Sequence, residues 1–117
     1  MVSDSRFEVV FLEEAKLFLD GLDEKSRSKI VYNLWKSKMA NDKELFKKLQ
    51  NEIWEFRTKY SKAHYRLLAF WDKRNKSETL VVATHGFLKK TDKIPKVEIA
   101  RAESLRKQYL NETWEKR

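Results

Sequence analysis

Three successive segments in the second half of the chain alternate apolar and polar residues with a period of two. In "IWEFRTK", Trp54 and Phe56 alternate with Glu55 and Arg57, and "AHYRLLAFW" and "ETLVVATHGF" follow as longer, more apolar runs. A period of two is typical of β-strands, because successive side chains point to opposite faces of a sheet. The polar "DKRNKS" between the second and third runs suits a connection between paired strands. We therefore predict a three-stranded antiparallel meander.

Strand and helix patterns also precede the meander. "RFEVVFL" alternates and predicts a first strand. A short helix is predicted next, because Ala15, Phe18, Leu19 and Leu22 recur at helical spacing and Gly21 can end a helix. Asp23 suits the N-cap of a second helix, because its carboxylate can accept a hydrogen bond from a free backbone N–H. The segment "NDKELFKKLQNE" predicts a turn with a short helical piece. The second helix carries an apolar stripe at helical spacing: Ile30, Val31, Leu34, Trp35 and Met39.

A last helix follows the meander. Pro95 suits the first turn of a helix, where its missing N–H costs nothing, and apolar residues recur at helical spacing from Ile99 to Leu110. The resulting order, β-α-α-β-β-β-α, predicts an α+β fold with a small antiparallel sheet, N-terminal helices and a C-terminal helix. We expect one domain over residues 1–117, with the helices on one face of the sheet.

The composition excludes several classes of protein. The 117 residues include no cysteine, so a disulfide framework, a thiolate zinc site and a cysteine nucleophile are excluded. No segment approaches the roughly 20 apolar residues of a membrane span, and the N-terminus lacks the pattern of a signal peptide. We expect a cytoplasmic protein with no membrane partner.

Positive charge is concentrated in the second half of the chain. The net charge is +8, but residues 1–56 carry 10 basic against 11 acidic residues, whereas residues 57–117 carry 16 against 7. A field of this sign favours nucleic acid, an acidic protein or an anionic surface as the partner. Charge alone does not choose among these three.

Two arginines of the meander are candidate anion ligands. Alternation places Glu55 and Arg57 on one face of their strand, opposite Trp54 and Phe56, so Arg57 projects away from the main core. Arg66 lies within the apolar "YRLLAFW", where an unpaired guanidinium would be costly to bury. Arg66 therefore meets either a bound anion or a carboxylate of the chain, such as Glu55.

A histidine and a pair of lysines end the last strand of the meander. His85 can exchange protons near neutral pH. A histidine with only a structural role would give the same sequence pattern. Lys89 and Lys90 begin a short loop. We expect Gly86 and Pro95 to flank this loop, which presents the two lysines.

The other histidine, His64, opens a strand beside Ser61 and Lys62, and we expect it to be exposed. The two histidines lie 21 positions apart and lack the short paired spacing of zinc motifs. No metal or other cofactor is therefore predicted.

The segments that carry these residues resemble a known superfamily. "IWEFR", "YRLLAF" and "VVATHGFLKKTDKIPKVEIARAE" occur in the order found in the RelE/ParE superfamily of bacterial toxins, and are most similar to its HigB-like, phage-derived branch. The resemblance covers residues 45–110, and "HGF-x-KKT-x-K-x-P" is its most specific block. It implies a compact α+β toxin of a type II toxin-antitoxin system. Such a toxin cleaves mRNA, often on the ribosome, and a small HigA-like helix-turn-helix antitoxin neutralises it.

The resemblance also implies roles for single residues. Arg57, Arg66, Lys89 and Lys90 match the basic residues expected to bind or activate the scissile phosphate, and Lys93 of the same block is expected to join them in binding RNA. RelE itself carries a functional tyrosine after its basic residue, whereas here the next tyrosine is far along the last helix. The general acid or base is therefore left open.

Metal-independent RNA cleavage needs a base, an acid and cations around the phosphate. His85, the two arginines and the lysine pair suit these roles, and a lysine can be the base if neighbouring cations lower its pKa. We therefore expect Arg57, Arg66, His85, Lys89 and Lys90 to converge on one concave surface. A ParE-like inhibitor of gyrase, or a non-catalytic protein of the same fold that binds RNA or antitoxin, remains an alternative.

Overall fold

The computed structural model describes residues 6–74 and 79–115, and the side chains up to residue 112. It confirms an α+β fold with N-terminal helices and a C-terminal helix. The elements follow in the order β1 (Glu8–Phe11), α1 (Glu13–Asp20), α2 (Glu24–Met39), β2 (Phe46–Gln50), β3 (Ile53–Tyr60), β4 (Ala63–Asp72), β5 (Leu80–Leu88) and α3 (Lys96–Glu115).

The strands form one mixed sheet in the order β1-β5-β4-β3-β2. Strands β2 to β5 make an antiparallel meander, as expected for strands joined by short turns. β1 adds to the far edge and runs parallel to β5, with Val9 opposite Val81. The chain between β1 and β5 therefore includes two helices and the rest of the sheet.

The predicted helical piece in "NDKELFKKLQNE" is wrong, because residues 46–50 form β2. Phe46 lies opposite Phe56 of β3, and the two rings stack with centroids 4.2 Å apart. Leu49 packs into the core under α3, whereas Phe46 packs into the core under α1 and α2. Phe46 and Leu49 are three residues apart, a spacing also found on one face of a helix. Here both lie in a strand and pack into different cores.

The prediction that the helices share one face of the sheet is also wrong. One core lies between the sheet and α1 and α2, where Ile30 and Leu34 meet the aromatic side chains of β2 and β3. The other core lies beneath α3, where Ile99 and Ala102 meet Leu68 and other apolar side chains of the sheet. The sheet is the middle of three layers, which explains why β4 is apolar on both faces.

Two of the predicted helix starts agree with the structure. The Asp23 carboxylate accepts a hydrogen bond from the Ser26 N–H at 3.1 Å and caps α2. Pro95 directly precedes α3, and its carbonyl accepts the Glu98 N–H at 3.0 Å. Within the described residues, none of the helices combines the length and the apolar character needed to cross a bilayer.

The apolar stripe of α2 divides between two environments. Ile30 and Leu34 are buried beneath the helix, as the stripe predicts. Val31, Trp35 and Met39 are instead exposed, with 55% of the Trp35 surface open to solvent. The core face of α2 also buries three polar residues, Ser26, Asn33 and Ser37. Three of the five stripe residues are therefore available for contacts other than folding.

Gly86 is required by packing and not by a bend before the lysine loop. It lies inside β5, two residues before the strand ends, and has no positive φ angle. A Cβ atom built on Gly86 would overlap the ring of Phe18, which packs over this point from α1. The absent side chain thus lets α1 approach the sheet closely.

Replacing Gly86 with alanine is expected to lower the free energy of unfolding by about 1 to 3 kcal/mol, because the added methyl overpacks the contact with Phe18. Urea unfolding of the purified protein measures the effect. In a Phe18→Ala background the same substitution should cost less, since the overlapping ring is gone. An equal cost in both backgrounds would contradict the packing explanation.

Candidate nucleic-acid interface

The candidate site begins at the end of β3, beyond the last residue that pairs with β2. β2 pairs with β3 as far as Phe56, and the Arg57 N–H then donates to the Leu45 carbonyl at 2.8 Å. Beyond this point α2 reaches the strand, and the Asn33 side chain donates to the Thr58 hydroxyl at 3.1 Å. The end of β3 is therefore bordered by a helix, and a pocket opens between them.

We call this opening the edge pocket. It has a volume of about 360 Å³. Five of its side chains are lysine or arginine, and one is a carboxylate. It is lined by Lys29, Asn33, Lys36, Glu44, Leu45, Arg57, Thr58, Lys59, His64 and Arg66.

A second opening, the loop pocket, adjoins the edge pocket. It has a volume of about 280 Å³ and is lined by His64, Lys89, Lys90, Thr91 and Asp92. His64 lines both openings, and its carbonyl accepts the Lys89 N–H at 2.7 Å. We call the two pockets together the basic surface.

The basic surface has seven lysine or arginine side chains against the carboxylates of Glu44 and Asp92. Such a surface suits a polyanion. Across the described ranges, no three histidine or acidic side chains are close enough together to hold a metal ion.

A tight turn fixes the register of this surface. Ser61 and Lys62 connect β3 to β4 with φ angles of 50° and 70°, the geometry of a two-residue turn with both central residues left-handed. Tyr60 and Ala63 pair on either side of it. This register places Arg57 and Arg66 opposite each other, and Lys59 opposite His64.

His64 lies among cations. Partial loss of solvent lowers its pKa below the usual 6.5, and the positive charges of Arg66, Lys59, Lys89 and Arg57 lower it further. The side chain is exposed and is therefore accessible to a ligand. At neutral pH the imidazole is largely uncharged and can accept a proton.

Arg57 and Arg66 have different environments although they face each other. Arg66 is only 3% exposed, and its Nε lies 3.0 Å from Oε1 of the buried Glu55. This contact is an ion pair without the alignment of a hydrogen bond. The Arg57 side chain is 25% exposed and lies 3.9 Å from both Glu44 and Glu55. Arg57 is partly exposed and only loosely paired, so it can meet an anion. Arg66 lines the pocket but is paired with Glu55, so for Arg66 the predicted carboxylate partner is the one found.

The structure does not bring His85 to the basic surface. His85 is 4% exposed, and its ring nitrogens contact the Glu98 carboxylate at 3.0 Å and the Thr84 hydroxyl at 3.1 Å. Burial lowers its pKa, and Glu98 opposes that shift. His85 lines neither the edge pocket nor the loop pocket. The prediction that it joins Arg57 and Arg66 on one concave surface is therefore not met, because α3 covers it.

The lysines of the loop after β5 are divided. Lys89 and Lys90 line the loop pocket, next to His64. Lys93 is exposed further along the loop and lines neither pocket, and its carbonyl accepts the Thr91 hydroxyl at 2.7 Å. Four of the predicted basic residues thus share the basic surface, and Lys93 lies beside it.

Tyr109 lies away from this surface. Its hydroxyl donates to the Asp72 carboxylate at 3.1 Å, and Asp72 is the last residue of β4. Arg74 also binds Asp72, at 2.7 Å, and holds the Asp72 pKa at about 2. His64 lies at the opposite end of the same strand. Tyr109 therefore anchors α3 and does not replace the tyrosine of RelE.

Sequence reasoning gave too little weight to some residues of the basic surface. Lys59 lies two positions after Arg57, and His64 lies two positions before Arg66. Residues two positions apart on a strand lie on the same face of the sheet. The alternation that places Arg57 and Arg66 on this face therefore also places Lys59 and His64 there. Lys29 and Lys36 lie seven positions apart on α2, where helical spacing places them on one side.

Comparison with known proteins identifies the family of the chain. No curated protein matches the sequence. A family model described as "Phage derived protein Gp49-like (DUF891)" matches residues 17–107, a range that includes every residue of the basic surface. This family is toxin-like and related to RelE and ParE, which confirms the resemblance at that level, while the HigB branch stays a prediction. The chain belongs to the Gp49-like family of phage-derived proteins.

Proposed function

We propose that the protein is the toxin of a type II toxin-antitoxin system and acts as a metal-independent endoribonuclease on mRNA. The observation that carries this proposal is the position of His64. It is an exposed, largely uncharged base that lines both pockets and lies among four cations. A proton acceptor beside a phosphate-binding surface is what cleavage of an RNA backbone requires.

In the proposed reaction His64 removes the proton from a 2′-hydroxyl of the RNA. The 2′-oxygen then attacks the adjacent phosphorus, and the bond from phosphorus to the 5′-oxygen breaks. The products are a 2′,3′-cyclic phosphate and a free 5′-hydroxyl. A lysine of the loop pocket, Lys89 or Lys90, supplies the proton that the leaving oxygen takes up.

The arginines stabilise the charge that develops on the phosphate. Arg57 is the accessible guanidinium of the edge pocket and can donate two hydrogen bonds to phosphate oxygens. Arg66 lies opposite it and lines the same pocket as the buried ion-pair partner of Glu55. Its contribution to the transition state is hydrogen bonds from the guanidinium N–H groups that Glu55 does not engage. Lys59 extends the cationic surface along the RNA backbone.

We also propose that a HigA-like antitoxin encoded beside the toxin holds it inactive, and that the mRNA is cut on the ribosome or free. The family relationship and the net charge of +8 support an anionic substrate and a neutralising partner. Co-expression of the neighbouring reading frame should restore growth of cells that express the toxin.

Induced expression followed by mapping of mRNA 5′ ends tests the proposed activity. New internal ends that carry a 5′-hydroxyl within minutes of induction are expected. Intact mRNA together with DNA damage would instead indicate a ParE-like inhibitor of gyrase. Intact mRNA and intact DNA would indicate a non-catalytic member of the family.

A further inference from the structure

The outer face of α2 carries aromatic side chains that the fold does not use. Tyr32 is 50% exposed and Trp35 is 55% exposed, and their rings stack with centroids 6.2 Å apart and planes 25° apart. The core contacts of the helix are supplied by Ile30 and Leu34 on its other side. Exposed aromatic residues that neighbour each other are more typical of a binding surface than of solvated helix.

The aromatic face is continuous with the basic surface. Lys29 and Lys36 line the edge pocket, and each ammonium also lies 5.5 Å from the centre of the Tyr32 ring. Lys29 further lines a shallow groove with Tyr32 and Tyr60. The same two lysines therefore border both the cationic pocket and the aromatic rings.

We propose that this face binds the bases of single-stranded RNA on one side of the cleaved bond, with Tyr32 and Trp35 as stacking partners and Lys29 and Lys36 as phosphate ligands. The inference rests on the proposed function and identifies where the nucleotides that flank the cleaved bond are bound. Stacking on aromatic side chains beside a cationic groove is how proteins bind single strands with little sequence preference.

The charges favour RNA over an apolar partner for this face. A purely apolar groove-filling segment would leave the two lysine ammonium groups without an anionic partner, whereas each nucleotide supplies both a ring and a phosphate. The lysine side chains are long and flexible. They can move from the Tyr32 ring to a phosphate when a base covers the ring, and the cation–π contact is then exchanged for an ion pair.

The test uses two oligomers that cannot be cleaved. One is a hexamer of 2′-O-methyladenosine, in which the attacking oxygen is blocked, and the other has the same backbone without bases. Fluorescence anisotropy gives the affinity of each for the wild-type chain and for the variants Tyr32→Ala and Trp35→Ala. Val31→Ala is the matched control, because Val31 is also exposed on α2 but has no ring.

Each aromatic substitution is expected to weaken binding of the base-bearing hexamer by about 5- to 150-fold, the range measured for stacked bases. Binding of the abasic oligomer should stay within about twofold, and Val31→Ala should bind both oligomers like the wild type. Unchanged affinity in both aromatic variants, or an equal loss for both oligomers, would overturn the inference.

If the wild type binds the hexamer and the aromatic variants bind it equally well, the inference alone fails and the proposed function stands. If Tyr32→Ala and Trp35→Ala instead lose only the ability to be neutralised by a neighbour-encoded protein, the face is a protein interface and not an RNA subsite. If the wild type binds neither oligomer, the inference fails, and the mapping of mRNA 5′ ends then decides the proposed function separately.

Discussion

Replacing His64 with alanine is expected to slow RNA cleavage by about 10²- to 10⁴-fold, the usual contribution of a general base. Affinity for RNA should change little, because the imidazole is largely uncharged at neutral pH and adds no charge to the basic surface. Single-turnover cleavage of a short RNA, together with the affinity for its uncleavable analogue, separates the two effects.

The pH dependence follows from the environment of His64. Partial loss of solvent and the surrounding cations lower its pKa below 6.5, so the form that accepts a proton predominates at pH 7 and is lost as the pH falls through the lowered value. A plot of kcat/KM against pH should be level near neutrality and fall on the acid side, below pH 6.5. The His64→Ala variant should lack this acid limb in its residual activity.

His85→Ala is the matched control for His64→Ala. It removes the other imidazole, which is buried between Thr84 and Glu98, and so should cost stability but leave the chemistry of the folded protein intact. If His64→Ala cleaves RNA normally while Lys89→Ala binds RNA without cleaving it, then a lysine is the acid or base and the assignment of the base to His64 is wrong.

The two histidines show why the candidate site was only partly predictable. Both are next to basic residues in the sequence, and His85 lies in the block most similar to the toxin superfamily. What separates them is α3, which covers His85 and places Glu98 3.0 Å from its ring. The contact between His85 and Glu98 depends on how α3 packs across the sheet. The alternation of apolar and polar residues in the strands does not predict that packing.

The fold was more predictable where the signal is local. A period of two identified β3, β4 and β5, and caps at Asp23 and Pro95 marked two helix starts. β2 was missed because its pairing with β3 depends on the stack of Phe46 on Phe56, which is a tertiary contact. The continuous apolar run of β4 did carry a signal for a sheet covered on both faces.

The α2 stripe shows a different limit of sequence reasoning. Helical spacing groups apolar residues on one broad side of a helix but does not say which of them meet the core. In the structure Ile30 and Leu34 do so, and Val31, Trp35 and Met39 do not. An apolar stripe wider than the core contact is therefore a useful indication of a binding face.

Replacing Glu55 with alanine is expected to lower the free energy of unfolding by about 3 to 5 kcal/mol, the largest stability effect we expect in this chain. Arg66 would then keep its charge in a site where it is 3% exposed and has lost the carboxylate 3.0 Å away. Burial already lowers the pKa of Arg66, and Glu55 is the group that opposes this shift. Urea unfolding measures the loss.

The double variant Glu55→Leu/Arg66→Met separates stability from function. Removing both charges leaves no unpaired buried ion, so its stability should return to within about 1 kcal/mol of the wild type or exceed it. RNA cleavage should nevertheless stay impaired, because Arg66 lines the edge pocket opposite Arg57. A double variant that is stable and cleaves RNA at the wild-type rate would show that the pair serves folding alone. Stability that remains as low as in Glu55→Ala would mean that the site needs these side chains for packing, and not for the neutralisation of charge.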